Sequence, residues 1–145
     1  MSRFVLDCSI AMSWCFEDES QPIADRALDS LLEDQALVPA IWLLEVANIL
    51  LIGERKGRIM PDQVSEFVAM LETLPILIDS PPSLKTLGNI YALAKTHQLT
   101  AYDAAYLELA KREGVVLATL DKSLCAAATK AGIDVLGGDT GDPPV

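Results

Sequence analysis

Short apolar runs alternate along this chain with longer segments of helical pattern, and this alternation limits the folds that the chain can adopt. Five runs are too short to be helices, and most show no polar alternation, as is typical of parallel strands covered on both faces. They are residues 4–6, 36–38, 76–78, 115–118 and 133–136. We therefore predict an α/β fold, a three-layer α/β/α sandwich with a mainly parallel central sheet of about five strands.

Helical patterns fill the segments between these runs. One of them shows apolar residues at i, i+3, i+4 and i+7 spacing, Val64, Phe67, Val68 and Leu71, which is typical of an amphipathic helix. Pro22, Pro39 and Pro61 mark three of the helix starts, and Gly57, Gly114 and Gly132 follow three of the ends. The predicted helices cover about residues 20–34, 39–56, 61–74, 83–97, 100–113 and 121–131.

The length of 145 residues suits one domain. We predict a single domain over residues 1–137 and a flexible, Gly/Pro/Asp-rich tail over residues 138–145.

No apolar run approaches the roughly 20 residues of a membrane span. Asp7 interrupts the apolar N-terminus, so we expect no export signal. The three cysteines show no CxxC spacing, which favours the reducing cytoplasm.

The formal net charge of -10 argues against broad nucleic-acid binding through a basic surface. A phosphate substrate would therefore need bound cations or the one concentrated basic stretch, which contains Arg55, Lys56 and Arg58. These three are candidate substrate-binding residues. The alternative interpretation is a solvated helix end whose positive charges complement the helix dipole.

Glu45 is the one acid in an otherwise apolar segment, residues 39–52. Apolar residues surround it on every helical face, so its ionised side chain would cost roughly several kcal/mol without a partner. Arg55 and Lys56 do not lie one helical turn away and can reach it only by tertiary contact. We therefore expect a partner for Glu45, and a metal ion shared with other acids is the hypothesis.

Three further acids are predicted to lie near Glu45. Chemistry in open parallel sheets sits beyond the carboxyl ends of the strands. Asp7 directly follows the first apolar run, and Asp121 follows the fourth run after Thr119 and Leu120. Asp103 lies in the first turn of a predicted helix, and Glu45 in the second turn of another. We expect all four side chains to project into one cleft.

Taken singly, three of these acids have a simpler interpretation. Asp7 and Asp121 can cap the following helix, and Asp103 can complete a capping box with Thr100. Capping does not explain Glu45, so a cation shared by all four is the better account. Oxygen donors without Cys pairs or clustered His favour Mg²⁺ or Mn²⁺ over Zn²⁺.

Such carboxylates can hold divalent ions that activate a water and neutralise the charge developing on a phosphodiester. Ser9 and Thr119, each two residues from an acid, are candidates for supporting hydrogen bonds. Asn48, one helical turn after Glu45, is a third. Local turn or backbone hydrogen bonds explain these three residues equally well.

His97 is the one histidine of the chain, and its position near a helix end indicates a solvated or helix-terminal role. A single histidine excludes a two-histidine, metal-free ribonuclease and argues against a Ser-His-Asp hydrolase. No GxSxG, P-loop or GxGxxG string occurs.

Four motifs resemble, in order and spacing, those of the PIN domain, and the brevity of the chain resembles the VapC-type toxins of toxin-antitoxin pairs. The resemblance covers nearly the whole chain to about Leu136. The motifs are Val5-Leu-Asp7-Cys-Ser9-Ile with Trp14, Pro39-x-x-x-Leu43-x-Glu45-x-x-Asn48, Leu99-Thr-Ala-Tyr102-Asp103-Ala-Ala-Tyr106-Leu, and Thr119-Leu-Asp121.

The resemblance implies a Mg²⁺- or Mn²⁺-dependent endoribonuclease that cleaves RNA. It also implies a homodimer and neutralisation by a small antitoxin, whose C-terminal segment lies over the active-site groove. The implied metal ligands are Asp7, Glu45, Asp103 and Asp121, and the implied supporting polar residues are Ser9, Asn48 and Thr119.

Two other functions stay open. One is an α/β phosphatase or phosphotransfer domain with Asp7 as a covalent nucleophile, although the first strand ends in Asp7-Cys-Ser9 rather than Asp-x-Asp. The other is a catalytically silent binding module whose acids only cap helices.

Overall fold

A central sheet of four parallel strands organises the protein in a computed structural model, which describes residues 2–19 and 21–136. The strands are β1 (Arg3–Leu6), β2 (Gln35–Val38), β3 (Ile76–Ile78) and β4 (Val116–Ala118). Their order across the sheet is β3-β2-β1-β4, and every neighbouring pair is parallel. The predicted α/β fold with a parallel sheet is confirmed.

Seven α-helices flank this sheet within the described ranges. A short 3₁₀ helix, Glu17–Glu19, precedes the second of them. The α-helices are α1 (Cys8–Cys15), α2 (Pro22–Ser30), α3 (Ile41–Arg55), α4 (Pro61–Glu72), α5 (Lys85–His97), α6 (Ala101–Glu113) and α7 (Lys122–Lys130).

The fifth predicted strand, residues 133–136, contributes one bridge rather than a strand. Val135 pairs in parallel with Leu117 of β4. The two hydrogen bonds of this bridge, Leu117 N to Asp134 O at 2.9 Å and Leu136 N to Leu117 O at 2.8 Å, both fall on Leu117. The pairing is therefore too short to form a ladder, and the described sheet has four strands.

The core fixes the carboxyl ends of the strands. Val5, Leu6, Val38 and Leu117 are completely buried, as expected of strands covered on both faces. Asp7 N donates to Ala118 O at 3.0 Å and so extends the pairing of β1 with β4 by one residue. The residues that follow these two strands are thereby held side by side.

Helix α3 is apolar but is not buried all round, contrary to the expectation from its sequence. Trp42, Val46 and Leu50 face the core, whereas Leu43 and Leu44 are 48% and 67% exposed. An apolar composition does not distinguish a core helix from one with an exposed apolar face. The expectation holds for the inner face alone.

Among the described residues, none of the helices combines the length and the apolar composition that a membrane span requires. The predicted tail, residues 138–145, lies outside the described residues. The bounds of the predicted domain, 1–137, stay a prediction.

Candidate metal centre

The four predicted acids all lie at the carboxyl edge of the sheet. Asp7 directly follows β1, and Asp121 immediately precedes α7 in the loop after β4. Asp103 lies in the first turn of α6, and Glu45 in the second turn of α3. Burial raises the pKa of Glu45, and the negative charges of Asp7 and Asp103 raise it further. The side chains are therefore close enough to act on one another.

Asp7 is 5% exposed and is held by two hydroxyl groups. Ser9 Oγ and Thr119 Oγ1 each donate to its Oδ2 oxygen at 2.7 Å. Burial raises the pKa of Asp7 most, the Asp121 charge adds to this, and the two hydroxyl bonds oppose it. Asp7 occupies the position before α1, yet its side chain makes no capping bond. The capping interpretation of Asp7 is wrong.

The same two hydroxyls also accept hydrogen bonds from the loop after β4. Leu120 N donates to Ser9 Oγ at 3.0 Å, and Asp121 N donates to Thr119 Oγ1 at 3.0 Å. Ser9 and Thr119 therefore connect the Asp7 carboxylate to the backbone that carries Asp121.

Glu45 receives its hydrogen bond from a tyrosine rather than from a cation. Tyr106 Oη donates to Glu45 Oε1 at 2.5 Å. This bond lowers the pKa of Glu45, against the larger effect of burial. Burial, the Asp7 charge and the bond to Glu45 raise the pKa of Tyr106, so Tyr106 stays protonated and acts as a donor.

Asp121 and Asp103 differ in what their carboxylates do. Asp121 Oδ1 caps α7 by accepting from Ser123 N at 2.9 Å and from Leu124 N at 3.1 Å. Asp103 N donates to Thr100 Oγ1 at 3.1 Å, but its carboxylate forms no hydrogen bond with residues 2–19 and 21–136. Capping therefore explains one oxygen of Asp121 and nothing of the Asp103 side chain.

The thiol of Cys8 lies within the field of all four acids. Burial raises its pKa most, followed by the negative charges of Asp7, Glu45, Asp103 and Asp121. Burial likewise raises the pKa of Asp103, with further contributions from Asp121 and Asp7. No Lys, Arg or His side chain of the described residues forms an ion pair with any of the four acids.

This donor set fits a hard divalent cation in its chemistry, because it consists of carboxylates without a cationic partner. In their present rotamers, however, no three His, Cys, Asp or Glu side chains of the described residues form a group that could hold a metal ion. Three of the four carboxylates, those of Asp7, Glu45 and Asp121, instead accept hydrogen bonds from donors of the protein. Convergence on one ion therefore requires side-chain rotation.

The remaining predicted residues lie apart from these bonds. Asn48 is exposed, and its side chain forms no hydrogen bond within the described residues. Arg55 and Lys56 lie about 15 Å from Glu45 along α3, at 1.5 Å per residue. Arg58 pairs with Asp18 at 3.2 Å and Glu19 at 2.9 Å, and its guanidinium lies 4.2 Å from the centre of the Phe16 ring. Their binding role stays a prediction.

Two residues of the site, Tyr106 and Cys8, had no functional role in the sequence-based prediction. Tyr106 follows Asp103 by three residues, so the two share a face of α6. That spacing was the available signal. The partnership with Glu45 spans 61 residues and could not be seen from spacing.

Comparison with known proteins identifies the family of this chain. The family model of the PIN domain matches residues 4–130. Ribonuclease VapC3 of Pyrobaculum aerophilum is 32% identical over 122 residues, which are 84% of this chain and 92% of the relative. The solved structure of PAE2754 from Pyrobaculum aerophilum superposes with a TM-score of 0.67 at 20% identity, covering 87% of this chain and 84% of that one.

A toxin-antitoxin complex from Klebsiella pneumoniae contains a chain with a TM-score of 0.57 at 20% identity, covering 81% of this chain and 85% of that one. The chain described here belongs to the PIN domain family. The identity to Ribonuclease VapC3 places it in the VapC group of that family. The predicted resemblance is confirmed.

Proposed function

We propose that this protein is an endoribonuclease that hydrolyses RNA phosphodiester bonds with Mg²⁺ or Mn²⁺ held by Asp7, Glu45, Asp103 and Asp121. The observation that carries the proposal is the placement of four carboxylates at one edge of the sheet without a cationic partner among the described residues. Neighbouring carboxylates without a cationic partner destabilise the folded state, and a bound divalent cation offsets that destabilisation. The relative that is named a ribonuclease supports the choice of reaction.

The protein itself orients one oxygen on each of three acids. Hydroxyls hold Asp7 Oδ2, Tyr106 holds Glu45 Oε1, and the first turn of α7 holds Asp121 Oδ1. The bound ion would supply a Lewis acid that neutralises the phosphodiester charge and activates the attacking water. The second oxygens of these carboxylates, together with Asp103, are the donors that we assign to it. Ser9 and Thr119 support Asp7, and Asn48 stays a candidate for an outer hydrogen bond.

Two apolar surfaces support contacts with other proteins, and we propose a homodimer and an antitoxin as the partners. One is a groove between α3 and α4 that Trp42, Leu50 and Leu71 help to line. The other is the exposed face of α5 with Leu84, Leu87 and Tyr91, which are 87%, 67% and 64% exposed. Apolar patches of this kind mark protein contacts. The neighbouring solved structure that is a toxin-antitoxin complex supports the antitoxin.

Cleavage of single-stranded RNA by the purified protein tests the proposed reaction. We expect cleavage with Mg²⁺ or Mn²⁺, none in excess EDTA, and none for Asp103→Asn in either condition. Asp62→Asn is the matched control, because Asp62 also lies in the first turn of a helix but is exposed. Full cleavage in EDTA, or full activity of Asp103→Asn, would contradict the proposal.

A further inference from the structure

Acidic residues are unevenly distributed along this chain of net charge -10. The two longest stretches without Asp or Glu are residues 80–102 and 122–133. They contain α5 and α7, whose titratable side chains are basic apart from a tyrosine and a cysteine. An acidic protein thus presents two helices that carry no negative side chain, with Lys85, Lys95, His97, Lys122 and Lys130.

A trough lies between these helices, and we call it the α5–α7 trough. One part has a volume of about 500 Å³ and includes Leu99 and Ser123 in its lining. The other has a volume of about 700 Å³ and includes Lys111 of α6. His97 and Lys130 line both parts, so the two form one continuous depression.

The trough begins beside the acids. Ser123 N donates to Asp121 Oδ1 at 2.9 Å, so the lining residue Ser123 is bonded to a candidate metal ligand. Leu99 precedes Thr100, which caps the helix that carries Asp103. A strand whose scissile phosphate lies at the four acids therefore meets the trough at its next nucleotides.

Two lysines of the trough are not neutralised by the described part of the protein. Lys111 and Lys130 form no ion pair with residues 2–19 and 21–136. Among the described lining residues the acid is Glu108, and Arg112 pairs with it at 2.8 Å. The trough therefore has a surplus of positive charge, in contrast to the acidic edge from which it starts.

We propose that the α5–α7 trough binds the phosphate backbone of the single-stranded RNA that leads away from the four acids. Lys111 and Lys130 contact its phosphates, and this assignment rests on the proposed function. Helix α7 extends about 12 Å between Lys122 and Lys130, several times the roughly 3.4 Å rise of a stacked nucleotide. Local charge of this kind lets an acidic protein bind RNA, because the contribution of each phosphate contact is short-ranged at physiological salt.

Binding of a labelled single-stranded RNA in EDTA, followed by fluorescence anisotropy over a series of salt concentrations, tests the trough. The test variant is Lys111→Gln with Lys130→Gln in the full chain. The matched control is Arg26→Gln with Lys85→Gln, which removes the same charge from two exposed residues that do not line the trough. We expect the test variant to weaken binding about tenfold or more and to reduce the salt slope by about 1.4, at about 0.7 per phosphate contact. The control retains both values.

Equal weakening in the two variants, or weakening in the control alone, would overturn the trough. Equal competition by polyglutamate would also overturn it, because the trough would then be a surface for an acidic protein segment.

Failure of the trough and failure of the proposed function give different results. If the wild-type protein binds RNA through Lys111 and Lys130 yet does not cleave it with Mg²⁺, the trough stands and the nuclease does not. If cleavage is normal but RNA affinity is unchanged in the test variant, the nuclease stands and the trough does not.

Discussion

Tyr106 and Glu45 lie 61 residues apart in the sequence and are joined by a hydrogen bond of 2.5 Å from Oη to Oε1. Tyr106 is completely buried on α6, and Glu45 is half-buried on α3. A hydrogen bond to a carboxylate is charge-assisted and stronger than one between neutral groups. The partner that Glu45 requires is therefore a neutral donor, which fixes one oxygen without neutralising its charge.

Removal of this donor should alter catalysis through the position and pKa of Glu45. For Tyr106→Phe we expect kcat to fall about tenfold, equivalent to about 1.4 kcal/mol, with KM for RNA unchanged. The Tyr106 bond lowers the pKa of Glu45, so its loss raises that pKa. The acidic limb of the pH profile of kcat at saturating metal should therefore move to higher pH.

Tyr102→Phe is the control for this experiment, because Tyr102 lies on the same helix but is 61% exposed. Its kinetics should match those of the wild type. A Tyr106→Phe variant with unchanged kcat and an unchanged pH profile would show that Tyr106 does not position Glu45.

Thr119→Val should affect both stability and activity, because Thr119 is buried and its hydroxyl donates to Asp7 while accepting from Asp121 N. Valine preserves the side-chain volume, but the Asp7 carboxylate loses one hydrogen-bond donor and Asp121 N loses its acceptor. We expect a loss of about 1 to 3 kcal/mol in the free energy of unfolding and a higher metal concentration at half-maximal activity. Thr129→Val, which removes an exposed hydroxyl bonded to Cys125 O at 3.0 Å, is the control. Equal effects of the two substitutions would contradict a role for Thr119 in holding Asp7.

Asp103→Asn should stabilise the metal-free protein at neutral pH. Burial, with the charges of Asp121 and Asp7, raises the pKa of Asp103, so its ionised form is disfavoured in the folded state. This penalty is absent below the unfolded pKa near 3.8, grows as the pH rises from there, and is complete above the raised folded pKa. The gain of the variant, measured by denaturant unfolding in EDTA, should therefore shrink as the pH falls through this window.

Saturating Mn²⁺ should make the wild type more stable than Asp103→Asn. An ion that binds the folded state stabilises it, and the wild type is expected to bind the ion more tightly. Asp62→Asn should not show this reversal. A constant stability difference at all pH values would show that Asp103 does not share its surroundings with the other acids.

The ion pairs of Arg112 on α6 should contribute to the free energy of unfolding. Its guanidinium bonds Asp79 at 2.7 Å and Glu108 at 2.8 Å, and the Glu108 side chain is 6% exposed. Arg112→Met leaves both carboxylates without this partner, and we expect a loss of about 2 kcal/mol, between the values of exposed and buried pairs. The control, Arg3→Gln, removes a more exposed pair with Glu113 and should cost less than about 1 kcal/mol by thermal or denaturant unfolding. Equal losses would contradict the importance of partial burial.

Local pattern was sufficient to predict most elements of the fold. The four observed strands coincide with apolar runs, and α4 to α7 end within two residues of their predicted limits. Helix α1 was not predicted, because Cys8–Cys15 is a short apolar segment without helical periodicity directly after a strand. Its formation depends on packing, since Ile10 and Ala11 are completely buried.

The sequence predicted that the four acids lie at one edge of the sheet, but not which hydrogen bonds their side chains form. Asp7 and Asp121 both follow strands, so spacing alone could not show that Asp121 caps α7 whereas Asp7 accepts hydroxyl bonds instead. The bond from Tyr106 to Glu45 and the contact of Thr119 with Asp7 join distant segments. Such contacts depend on the order of the strands, which local sequence does not encode.

The central claim is that Asp7, Glu45, Asp103 and Asp121 bind the same divalent cation or cation pair. Titration with Mn²⁺, followed by the electron paramagnetic resonance signal of the unbound ion, measures this directly and without RNA. We predict saturable binding by the wild type, at least about tenfold weaker binding for each of the Asp→Asn and Glu→Gln variants at these positions, and wild-type binding for Asp62→Asn. Absence of saturable binding by the wild type, or wild-type affinity in the four variants, would contradict the account.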